Sequence, residues 1–143
     1  MKKVFTLALF TAILVSFAAG SVNRTTLVGQ WRGEDDKEVG FITFDKKGYV
    51  TFTINHQDIG GKQYLSDGIE YDMTYETDDS ASPAHLDFVI TTCADGEEIG
   101  RMAGIYRLKD AKTLIINMKF DGTARPVAFD EESDDQITLM KVK

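Results

Sequence analysis

The chain has 143 residues, a formal net charge of −7 and one cysteine. That length suits one domain rather than two. The acidity disfavours nucleic acid and anionic membrane surfaces as partners, and a lone thiol excludes an intramolecular disulfide.

The first twenty residues read as a secretory signal peptide. Lys2 and Lys3 supply a basic start, residues 4–15 are almost wholly apolar, and Ser16, Phe17, Ala18, Ala19 and Gly20 form a region of mostly small residues. That order of charge, apolar core and small residues marks a cleaved export signal, with cleavage expected after Ala18 or Gly20. The apolar core is shorter than the roughly 20 residues a spanning helix needs, so no stable membrane insertion is expected after removal. Losing Lys2 and Lys3 takes the formal charge from −7 to −9. The expected mature domain is residues 21–143, exported to a periplasmic or extracellular space as a monomer.

Near the start of the expected mature chain, the stretch Gly29-Gln30-Trp31 holds the only tryptophan. From there period-two alternation dominates. Val50, Phe52 and Ile54 alternate with Thr51 and Thr53. Ile69, Tyr71, Met73 and Tyr75 alternate with Glu70, Asp72, Thr74 and Glu76. Leu86, Phe88 and Ile90 alternate with Asp87, Val89 and Thr91, and Leu114, Ile116 and Met118 with Ile115, Asn117 and Lys119. Ile137 and Leu139 close the chain in the same style. Further strand-like runs occupy residues 28–32, 39–44, 100–108 and 126–129. Such alternation marks half-buried strands. Turn signals separate them at Gly48, Gly60-Gly61, Asp67-Gly68, Asp95-Gly96 and Asp121-Gly122, and residues 78–83 form a polar loop. Residues 56–66 fit a loop, a helical turn or a weak strand. No dozen-residue window carries a helical stripe.

Eight or nine short strands at regular spacing predict an all-β protein. An antiparallel up-and-down barrel is the economical way to remove exposed sheet edges, and eight strands enclose room for side chains or one small ligand. In such a barrel Trp31 covers a large apolar area with one side chain, and Gly29 on the same face leaves space for it. A basic residue over the indole would add about 0.5–2 kcal/mol. Arg125, Arg107 and Lys141 are the candidates.

The order of motifs carries a resemblance. Gly29-x-Trp31 resembles the first-strand signature of lipocalins. Pro83-Ala84-His85-Leu86-Asp87, Gly104-Ile105-Tyr106 and Arg125-Pro126-Val127-Ala128-Phe129 then follow in the order seen in a family of small lipocalin-like bacterial domains first described from planctomycetes. The likeness spans about residues 27–142, although residues 97–102 are more acidic than the pattern. It implies a lipocalin-like barrel with no particular activity, sealed at one end by Gly29, Trp31 and Arg125.

Chemistry is sparse. His56 and His85 lack a second ligand at metal spacing, so no metal is expected. No nucleophile elbow, zinc-protease motif or phosphate loop is present, and no cofactor is implied. Glu70 and Asp72 lie on a solvated face, and Cys93 ends a strand as a half-buried thiol. No catalytic residue is expected. The aromatic residues either fill the barrel or line a pocket at one end. The first reading points to a protein-interaction or protease-inhibitor-type barrel that reaches its partner through residues 21–26 or its loops. The second points to a small hydrophobic ligand held at the mouth by Tyr71, Met73, Tyr75, Phe88 and Tyr106.

Overall fold

The computed structural model describes residues 27–35, 38–122 and 124–142. The expected signal peptide and the segment 21–26 lie outside the described residues. Ten strands form one sheet: β1 (Gly29–Asp35), β2 (Glu38–Phe44), β3 (Val50–Ile54), β4 (Gln57–Gly60), β5 (Tyr64–Ser66), β6 (Ile69–Asp78), β7 (Ala84–Thr92), β8 (Glu98–Asp110), β9 (Thr113–Met118) and β10 (Gln136–Lys141). The order is β4-β3-β2-β1-β10-β9-β8-β7-β6-β5, with every pair antiparallel. Sequential strands are hydrogen-bonded neighbours except β4 and β5, which are the two ends of the order, and the first strand pairs with the last. The result is a nearly closed up-and-down barrel.

Two strands more than eight arise from residues 57–66. The turns on either side are two-residue hairpins. Asn55 and His56 both take positive φ between Ile54 and Gln57, and Asp67 and Gly68 do so between Ser66 and Ile69. Two consecutive positive φ values give the mirror-image turn that matches strand twist. Residues 126–129, expected as a strand, are instead part of the long connection between β9 and β10.

The sheet is stitched shut at Gly61. Its N–H donates to the Val50 carbonyl at 2.8 Å, and its own carbonyl accepts from the Met73 N–H at 2.9 Å. The Tyr75 N–H donates to the Gly48 carbonyl at 2.9 Å, and Tyr49 bridges Thr74. Above this seam β4 follows β3 and β5 follows β6, so the wall splits into two hairpins. Gly60 sits at the crotch of the split with φ +97°. A side chain there would meet the Val50 carbonyl oxygen and Met73 Sδ at 2.9 Å.

The inward rows meet in a packed core. Trp31, Phe44, Tyr75, Phe88, Leu27, Leu86, Leu114, Ile116, Met118 and Leu139 are all buried. Phe44 stands edge-on to Tyr75 at 4.8 Å between ring centroids, and Phe52 edge-on to Phe88 at 5.3 Å. Such edge-to-face pairs are worth about 0.5–1.5 kcal/mol each beyond area burial.

A second apolar layer lies outside the barrel. Val89, Ile105 and Ile115 belong to the outward rows, yet all are buried, as are Asp87 and Asn117. All six residues of β9 are buried. The connection from residue 119 to 135 returns across this outer face as a strap. The Asn117 side-chain amide donates to the Ala128 carbonyl at 2.9 Å, and the Lys119 N–H to the Ala103 carbonyl at 3.3 Å. Lys119 Nζ pairs with Asp135 at 2.7 Å, and the Arg107 guanidinium lies 4.7 Å from the Phe129 ring centroid. The strap therefore buries strand faces that simple alternation would leave in water.

Candidate functional site

The barrel's two ends differ. At the lower end lie the links 45–49, 79–83 and 111–112, with Leu27 and Trp31 plugging the interior. At the upper end lie the hairpin turns 55–56, 67–68 and 93–97. The inward rows remain apolar up to that end and then emerge. Val50, Phe52 and Ile54 share one face of β3. Ile59, opposite Phe52, shares it across β4. Ile69 shares the inward face of β6 with Tyr71, Met73 and Tyr75, and Tyr64 opposes Tyr71. Ile54 is 42% exposed, Ile59 46% and Ile69 50%, although each belongs to an inward row. Phe52, Tyr64, Ile90, Met102 and Ile137 sit half-buried beneath them against the core. These side chains make the barrel's upper end, here termed the cup, an apolar rim, and β4 and β5 do not pair across it.

The expected ligand set divides over the barrel's length. Tyr71 is at the cup, its ring 5.7 Å from that of Tyr64. Phe88 forms the floor beneath Phe52. Met73 and Tyr75 are buried deeper, and the Tyr75 hydroxyl donates to the Asp45 carbonyl at the lower end, 2.9 Å away. Tyr106 is also at the lower end, where its hydroxyl donates to Asp79 Oδ1 at 2.6 Å. Sequence reasoning missed Ile54, Ile59, Ile69 and Tyr64. Their signal was the continuation of alternation through the two-residue turns Asn55-His56 and Asp67-Gly68.

The hydroxyl of Tyr64 is harder to ionise than usual. Burial raises its pKa, and the charge on Tyr71 adds to the effect. The Tyr64 phenol therefore presents a neutral donor at ordinary pH. Cys93, at the end of β7, is half-buried with its thiol 3.5 Å from Asp72 Oδ1. Desolvation raises its pKa first, and the hydrogen bond to Asp72 with the charges of Asp72 and Glu70 raises it further. A thiol held protonated is a poor nucleophile. Asp72 also accepts from the Gln63 N–H at 2.8 Å, which ties β5 to β6.

The residues expected to close the barrel are placed as follows. Trp31 is fully buried, and its Nε1–H donates to the Leu27 carbonyl at 2.9 Å. Gly29 begins β1 with φ 136°, two residues before Trp31 and so on the same face. The cation over the indole is Lys141, whose Nζ lies 5.4 Å from the ring centroid. Arg125 does not play that part. It is held in the strap, where its guanidinium donates to Asp87 at 2.5 and 3.2 Å and to the Gly104 carbonyl at 2.8 Å. The reason is topological: β10 pairs directly with β1, which brings Lys141 opposite Trp31, while Arg125 precedes β10 by a long connection.

Asp87 is the centre of the strap's anchorage. Besides Arg125 it pairs with Arg101 at 2.9 Å, and Arg101 reaches on to Glu76 and Glu98. Among the described residues no cluster of three His, Cys, Asp or Glu side chains is arranged to hold a metal ion, and no helix is long and apolar enough to cross a membrane. Comparison of the chain with protein-family models, with curated proteins and with solved structures returns no match.

Proposed function

We propose that this protein is an exported, monomeric lipocalin-like barrel whose upper cup binds a small, mostly apolar molecule. One observation carries the reading: Ile54, Ile59 and Ile69 face inward yet stay about half exposed above a floor of aromatic rings. Scattered surface isoleucines need no explanation, but three on inward rows that emerge together at one end of a barrel point to a binding surface. Covering one large aliphatic side chain completely is worth about 1.5–3 kcal/mol, so a ligand capping three half-exposed ones gains about half that at each. The phenols of Tyr64 and Tyr71 would orient a ligand's polar end.

The test is a titration with N-phenyl-1-naphthylamine, a neutral dye that brightens in apolar surroundings. Saturable one-site binding that is lost on Ile59→Glu supports the cup. Absence of saturable binding by the folded protein overturns it. A second reading, a protein-interaction barrel of the protease-inhibitor type, is favoured by the packed lower core of Trp31, Phe44, Tyr75 and Phe88 beneath the cup. In that case the dye does not saturate, and the same apolar rim serves a protein surface.

A further inference from the structure

A groove separate from the cup lies at the lower end, where β7 stops short. In the β7–β8 register Ala84 pairs with Tyr106, the last position on that side. Beyond it β8 continues along β9, with Arg107 opposite Ile115 and Leu108 opposite Leu114. The edge of β8 that β7 would have covered borders a cavity of about 560 Å³, within the roughly 300–1,000 Å³ of small-molecule sites. Its walls include Asp79, Pro83, Tyr106, Arg107, Leu108 and Phe129.

The walls combine two opposite charges, Arg107 and Asp79, with the apolar surface of Pro83, Leu108 and Phe129. Arg107 is exposed, but its guanidinium lies over the Phe129 ring, which restrains the planar fork. A fork held in this way is suited to a carboxylate, because it can donate two parallel hydrogen bonds. Asp79 is held from the other direction. Tyr106 donates to its Oδ1, and burial followed by the bond to Asp79 raises the phenol's pKa, so the hydroxyl remains a donor at any physiological pH. An oriented carboxylate is suited to an ammonium. Pro83, Leu108 and the Phe129 face supply apolar contact.

We infer that this groove binds a small apolar zwitterion of the amino-acid type, with its carboxylate on Arg107, its ammonium on Asp79 and its side chain against Pro83, Leu108 and Phe129. Neither charge alone specifies the ligand. Together they reject a simple fatty acid, which would face Asp79 with nothing to donate, and a simple amine, which would face Arg107.

The experiment is an amide-shift titration of the isotopically labelled full chain with L-phenylalanine, phenylacetate and phenethylamine as probes. Saturable shifts for L-phenylalanine confined to residues 79–84, 106–108 and 129 are expected, with at least tenfold weaker responses to the two single-charge probes. Arg107→Gln and Asp79→Asn each lower L-phenylalanine affinity at least tenfold. Should Asp79→Asn fail to fold, Tyr106→Phe keeps the ring and lowers affinity several-fold by freeing Asp79. Ile59→Glu at the cup leaves the response unchanged, which separates this groove from the cup. Equal responses to all three probes, shifts centred on the cup, or no saturable shift would overturn the assignment.

Discussion

Lys141 Nζ stands 5.4 Å from the centroid of the Trp31 ring, and the two residues are direct partners across β1 and β10. The first and last strands therefore meet at the barrel's plug. Trp31→Ala removes the largest fully buried side chain and is expected to cost about 3–5 kcal/mol in urea melts. Trp31→Phe keeps part of the packing and loses the bond to the Leu27 carbonyl, so its cost falls between that value and zero. Lys141→Met removes the cation while retaining length, at about 0.5–1 kcal/mol. A loss under about 1 kcal/mol for the alanine variant would mean that the ring is peripheral.

Gly60 tests the seam. Its φ of +97° and the 2.9 Å approach that a Cβ would make to the Val50 carbonyl oxygen penalise any side chain. The close neighbour on one side is backbone, which cannot swing away. Gly60→Ala is expected to destabilise by about 1–3 kcal/mol through overpacking and backbone strain. Its signature is faster amide exchange at Gly61 and Met73, the two N–H groups that stitch the closure. Unchanged exchange there would show that the seam does not depend on Gly60.

Alternation exposed most of the wall in the sequence, because β3, β6, β7, β9 and β10 each have one face in the core. It failed where the physics was not two-sided. β4 and β5 are only four and three residues long, too short to show alternation, and their hairpins turn on Asn55, His56 and Asp67 as well as glycine. Val89 and Ile115 broke the polar outward rows, and that was a sign of an outer apolar layer rather than noise. The strap that covers them has the composition of a loop, so nothing local marked residues 126–129 as a lid. The cup was half legible: Tyr71 is there, but Met73 and Tyr75 lie successively further down β6, and Tyr106 sits on β8 at the lower end. Charge partners such as Arg125 and Asp87 are 38 positions apart, and no periodicity reports contacts at that range.

The cup's exposed isoleucines should be dispensable for folding. Ile59→Glu and Ile69→Glu alter side chains about half in solvent, and surface changes of this kind usually stay within about 0.5 kcal/mol. Dye affinity, in contrast, should fall at least tenfold, because a buried carboxylate would lack a partner under the ligand. Urea melts beside dye titrations separate the two effects. A large stability loss with unchanged affinity would place these residues in the core instead.

Asp87 makes stability depend on acid. Burial alone would raise its pKa, but hydrogen bonds from Arg125 and Arg101, with their positive charges, outweigh that and hold the carboxyl below its ordinary value. A group whose folded pKa is depressed contributes stability above its unfolded value, near 3.9, and loses it as pH falls through the folded pKa. The contribution is therefore constant from mildly acidic to neutral pH and disappears only under strong acid, below about pH 4. Removing one partner of a fully buried ion pair costs about 3–5 kcal/mol. The Asp87 side chain is 9% exposed but its arginines are 28% and 35% exposed, so after solvent screening Asp87→Asn should cost about 2 kcal/mol, below that range. The variant should also show a shallower loss of stability below pH 4 than the parent, and faster amide exchange in the strap. Urea melts across a pH series from about 2 to 7 supply the check. Parallel acid curves for parent and variant would mean that Asp87 does not anchor the strap by charge.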